Sequence, residues 1–127
     1  MLTLICGLPR AGKTTYSKKY DGKCTVIHLD HYGGGESGHT RCNSNANTND
    51  DVVFEGVYHT ARWRKSLVQN YRGDKKICIW LDTPTEIKKT RHGYCDKCEY
   101  PFEPPTLDEG WDEIIIIRGE HEQRINR

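Results

Sequence analysis

The sequence predicts an α/β protein: a three-layer sandwich around a mostly or wholly parallel five-stranded sheet, in one domain spanning residues 1–127. Two observations carry that expectation. Five short apolar runs are spaced along the chain, and stretches of helical character lie between most of them. Continuous apolar runs of four to six residues suit strands buried on both faces, and parallel strands need helical crossovers.

In order, the runs are Leu2 to Cys6, Cys24 to Leu29, Val52 to Glu55, Ile77 to Leu81 and Ile114 to Ile117. Helices are expected over Lys13 to Tyr20, Thr60 to Tyr71 and Thr85 to Arg91, the last opened by Asp82-Thr83-Pro84. Two segments fit no regular element. Gly33 to Asn49 is rich in Gly, Ser and Asn and reads as a long mobile loop. His92 to Asp112, with Pro101, Pro104 and Pro105, reads as irregular but packed.

Composition narrows the functional classes. At 35% hydrophobic and 29% charged residues, the chain has no apolar run long enough to span a bilayer. Its first residues read as a strand entering a motif, without the basic leader and small-residue cleavage site of a secretory signal. A soluble, intracellular protein is the expectation, with its six cysteines reduced. The net charge of +1 conceals an asymmetry: basic residues crowd the first two thirds, whereas Glu99 to Glu113 holds six carboxylates and no Lys or Arg. A basic face suits a polyanion such as nucleic acid, and a solvated helix surface has the same composition.

The strongest motif is Gly7-Leu8-Pro9-Arg10-Ala11-Gly12-Lys13-Thr14, which matches G-x-x-x-x-G-K-[ST] directly after a strand and at the start of a helix. Glycines let the backbone N–H groups converge on phosphate oxygens. Lys13 supplies charge against the β- and γ-phosphates, and the Thr14 hydroxyl ligates magnesium. Gly7, Pro9, Arg10, Ala11, Gly12, Lys13, Thr14 and Thr15 are therefore the candidate ATP-binding residues, with ATP and Mg²⁺ as the implied cofactors. Asp30, ending the second strand, stands where a general base for an attacking hydroxyl belongs; a turn cap is the alternative.

Around this loop the sequence resembles the kinase half of polynucleotide 5′-kinase/3′-phosphatase enzymes and their phage relatives. The resemblance rests on His28-Leu29-Asp30, Phe54-Glu55-Gly56-Val57, Leu81-Asp82-Thr83-Pro84, and above all Phe102-Glu103-Pro104-Pro105-Thr106-Leu107-Asp108-Glu109-Gly110-Trp111. It implies a P-loop kinase fold and ATP-dependent transfer to a 5′-hydroxyl of DNA or RNA, and it puts a phage origin among the expectations. Asp30 corresponds to the family's general base. Glu55 and Arg62 correspond to substrate-side positions, and Arg91 to an arginine that opens the lid and stabilises the transferring phosphoryl group. No phosphatase segment is expected in this length. The chain departs from the family in a shorter lid and in the polar segment Gly33 to Asn49. A kinase of hydroxymethylated bases in DNA, a nucleoside or small-metabolite kinase, and a non-catalytic nucleotide-binding module remain alternatives.

Cys95-x-x-Cys98 has the spacing of half a zinc knuckle, and His39-x-x-Cys42 offers the companion pair, with His92 as a substitute ligand. Unligated thiols are the competing reading.

Overall fold

The computed structural model describes all residues, 1–127. Its sheet has six strands: β1 (Leu2–Cys6), β2 (Thr25–His28), β3 (Val52–Gly56), β4 (Lys76–Leu81), β5 (Glu113–Arg118) and β6 (His121–Asn126). They lie in the order β2-β3-β1-β4-β5-β6. The first five are mutually parallel, as expected, and β6 pairs antiparallel with β5. The expected count of five is thus one short. The extra strand, HEQRIN, is almost wholly polar and exposed on an edge, so no apolar run marks it.

Alternation along the strands divides the core between two faces. Leu2, Leu4, Cys6, Val52, Phe54, Cys78 and Ile114 pack on one side, and Ile5, Val53, Ile79, Leu81 and Ile115 on the other. The first face is the larger. It is covered by α2 (Gly35–Asn43) and α3 (Ala61–Asn70), which contribute Cys42 and Leu67, with Trp111 buried at the entry to β5. The second is covered by α1 (Lys13–Ser17) and the 3₁₀ turn that continues it to Tyr20, through Tyr16 and Tyr20. A short α4 (Thr85–Lys88) follows β4. No helix is long and apolar enough to cross a membrane.

One expectation is overturned outright. Residues 33–49 are not a mobile loop: they contain α2 and a further 3₁₀ turn, Ser44–Ala46. The packing explains it. His39, Cys42, Asn43 and Ala46 are buried at helical spacing (i, i+3, i+4, i+7), so the helix has an inward stripe made of small and polar residues. Their polar atoms are largely satisfied: Tyr58 Oη donates to Asn43 Oδ1 at 2.7 Å, and Asn43 Nδ2 donates to the Trp63 carbonyl at 3.1 Å. Gly38 is required for the entry to the helix, since a Cβ there would lie 2.6 Å from the Gly33 carbonyl oxygen.

Candidate active site

Strand order places the site. β1 leads to β2 and β3 on one side of itself and to β4 and β5 on the other, so the carboxyl end of β1 is a topological switch point. A cleft of about 770 Å³ opens there. Its floor is the loop after β1, with Pro9 to Thr15 all contributing, and Asp30, Glu55 and Arg91 line it as well.

The loop is shaped by short-range constraints. Gly7 lies buried beneath it with φ +156°, and a Cβ at this position would stand 2.7 Å from the Leu81 carbonyl oxygen on β4. Gly12 adopts φ +103° at the start of α1 and caps the helix without any side-chain hydrogen bond, which leaves the first-turn N–H groups open to a ligand. Thr83, in the turn after β4, donates its hydroxyl to the Ala11 carbonyl at 2.7 Å and ties the loop to the sheet.

Lys13 turns its ammonium onto the Leu8 carbonyl of its own loop, at 2.9 Å. Burial lowers its pKa, against the opposing pull of the Glu55 and Asp30 carboxylates. Lys13, Glu55 and Asp30 therefore form one electrostatic group. Glu55 is buried at the end of β3, where His28 Nδ1 on β2 donates to it at 2.7 Å. Asp30 is exposed in the 3₁₀ turn Leu29–Tyr32 just past β2. Arg91 reaches back across the cleft: its Nη1 donates to the Arg10 carbonyl at 2.5 Å. It also lies over Gly12, where a Cβ would meet the guanidinium at 3.3 Å.

The sequence thus named the loop, Asp30, Glu55 and Arg91, and the fold brings these together. Arg62 stands apart. It is exposed on α3, pairs with Glu36 at 3.1 Å, stacks over Trp63, and does not line the cleft. Thr83 and His28 stood inside the quoted motifs with no site role assigned, and they act through partners 72 and 27 residues away, a separation local patterns do not encode.

The Phe102–Trp111 stretch lies away from the cleft and is structural in its contacts. Glu109 and Thr106 form a capping box, and Glu109 accepts two hydrogen bonds from the fully buried Arg64, at 2.8 and 3.0 Å, and one from Trp111 Nε1 at 3.0 Å. Phe102 stacks on Trp80.

The zinc set does not assemble. No three His, Cys, Asp or Glu side chains gather into a metal site. His39 is stacked on Trp63 and Cys42 is buried against Tyr58, whereas Cys95 is exposed on the far segment and His92 lines the cleft.

Among solved structures, the chain resembles an unliganded sugar kinase from Janibacter sp. HTCC2649. The TM-score is 0.66, over 92% of this chain and 84% of that one, at 12% identity. The two chains share a fold. At this identity the likeness is one of fold alone. No protein-family model matches the chain, and no curated protein matches its sequence.

Proposed function

We propose that the chain is an ATP-dependent phosphotransferase that moves the γ-phosphate of ATP to a hydroxyl, with the 5′ end of DNA or RNA as the acceptor. The observation that carries the reading is the meeting, in one cleft, of a glycine-bent phosphate loop with its lysine and a strand-end carboxylate, Asp30. Backbone N–H groups from Pro9 to Thr15 would cradle the phosphates, Pro9 itself excepted for want of an N–H, while Lys13 exchanges its Leu8 acceptor for a phosphate oxygen. The donor set fits magnesium: there is no protein-only metal cage, but the Thr14 hydroxyl and the Glu55 carboxylate face the cleft. Magnesium, when bound, neutralises charge on the phosphates. Asp30 would accept the proton of the attacking hydroxyl, and the Arg91 guanidinium would face the charge that develops on the transferring group.

The polynucleotide acceptor is supported by the motif resemblance and by the basic bias of the first two thirds of the chain. A second reading, a nucleoside or other small hydroxylated acceptor, is favoured by one observation. Helix α2 packs on the turn that carries Asp30, so folded structure stands beside the carboxylate that would take the acceptor's proton.

Asp30→Asn tests the chemistry. Asparagine retains the shape and the capping ability but takes no proton, so kcat falls by about 10²–10⁴-fold while ATP affinity stays near wild type. A variant with kcat within a few-fold of wild type, at saturating ATP and acceptor, places the base elsewhere.

A further inference from the structure

Two pairs of cysteines lie at almost the same separation. Cys6 and Cys78 have their Sγ atoms 3.8 Å apart, and Cys95 and Cys98 theirs 3.7 Å apart. The first pair bridges β1 and β4 inside the core, and both of its members are fully buried. The second lies at the surface, with Cys95 exposed and Cys98 half-buried. Thiol–disulfide exchange requires a thiolate and a path for the reagent. Burial denies the inner pair a path for the reagent, and it pushes the Cys78 thiol well up. Only the outer pair is open to attack.

The local backbone suits ring closure. Cys95 is extended (φ −148°, ψ 163°) and leads into a single 3₁₀ turn, Asp96–Cys98, which the Cys98 N–H closes onto the Cys95 carbonyl at 2.9 Å. The turn brings the two sulfurs to 3.7 Å from each other. A disulfide needs them about 2 Å apart, a shift within the reach of side-chain rotation. The turn is anchored at both ends. Glu99, just after it, accepts from Lys88 Nζ at 2.8 Å, Thr85 Oγ1 at 3.1 Å and Tyr94 Oη at 3.2 Å. Just before it, Gly93 lies against the Arg10 guanidinium, and Arg91 holds the Arg10 carbonyl. The dithiol therefore sits on a strap between α4 and the glycine-bent loop.

We propose that Cys95 and Cys98 are a reversible modification site that closes to a disulfide by exchange with a low-molecular-weight disulfide such as oxidised glutathione. The Cys95 thiolate attacks one sulfur of the reagent and displaces the first glutathione thiolate. The Cys98 thiolate then attacks Cys95 Sγ in the mixed disulfide and displaces the second. Two electrons pass from the protein to the reagent, and the two thiol protons end on two glutathione molecules.

The test needs no enzymatic activity. The folded full-length chain is incubated with excess oxidised glutathione, quenched in denaturant with an alkylating agent, and weighed before and after trypsin. Two of the six cysteines escape alkylation, so the intact chain carries four alkyl groups in place of six, and the tryptic peptides 92–97 and 98–118 stay joined until dithiothreitol is added. Cys95→Ser and Cys98→Ser each stop at a single glutathione adduct. Retention of all six thiols, stable adducts on both outer cysteines of the wild type, or a bond mapped to Cys6 and Cys78 would each overturn the proposal.

Discussion

Lys13 makes one hydrogen bond to protein, to a carbonyl of its own loop, so its removal should cost the fold little and, under the proposed function, the chemistry much. Lys13→Ala is expected to keep its melting temperature within a few degrees while phosphate transfer falls by at least about 10²-fold, and circular dichroism beside a turnover assay checks both halves. The place of this lysine in the cleft was legible because the loop's spacing is local. His39 was not legible, because its setting depends on two aromatic rings brought in from elsewhere: it is stacked on Trp63, 4.7 Å between centroids, and edge-on to Tyr58. Its Nδ1 has no partner, and burial lowers its pKa to about 4. The folded state therefore favours neutral imidazole, whereas the unfolded chain takes up a proton below about pH 6.5. Stability contributed by this group is complete above that pH and is lost as pH falls from 6.5 towards 4, on the order of 3 kcal/mol in all. Urea unfolding at steps across that range measures the slope, which His39→Phe should flatten relative to wild type; an unchanged slope would assign the titration to other groups.

The strands of the parallel sheet were readable because burial on both faces writes an uninterrupted apolar run, as in β1 and β5. Helix α2 was not, since its buried stripe is His, Cys, Asn and Ala, residues that hydropathy does not count as core. Strand β6 carried a different signal. Gly119, with φ +61°, is the first of the two turn residues between Arg118 and His121, the position that type II′ hairpins give to glycine. The run Phe102 to Trp111 was noticed as a family signature, and its contacts give it an architectural task. Glu109 joins α3, through Arg64, to the strand that starts at Glu113. Arg64 also donates to the carbonyls of Tyr58 and Glu103, at 2.7 and 2.8 Å. Arg64→Leu strands a buried carboxylate and two carbonyls, so a loss of about 3–5 kcal/mol in unfolding free energy is expected. Arg64→Leu combined with Glu109→Gln should recover part of that loss. A double variant no more stable than Arg64→Leu alone would show that the carboxylate's charge is not what destabilises it.

At the scale of the whole molecule, the strand order converts a local motif into a candidate site: it sets the glycine-bent loop at the end of β1, between the halves of the sheet that carry Asp30 and Glu55 on one side and Thr83 and Arg91 on the other. Net charge of +1 gives the chain little overall field, so attraction for a polyanionic acceptor has to come from local basic clusters. If the acceptor is a polynucleotide, its KM should rise steeply between about 50 and 200 mM salt as counterion release is lost; a flat KM would point to a small neutral acceptor. Phosphate transfer itself is the most direct test. The folded chain is incubated with γ-labelled ATP, magnesium and matched oligonucleotides, one ending in a 5′-hydroxyl and one already 5′-phosphorylated. Label should appear on the 5′-hydroxyl strand and be absent from the phosphorylated one and from reactions with Lys13→Ala. Binding of ATP without transfer to the oligonucleotide, to a nucleoside or to any other hydroxyl would contradict the account.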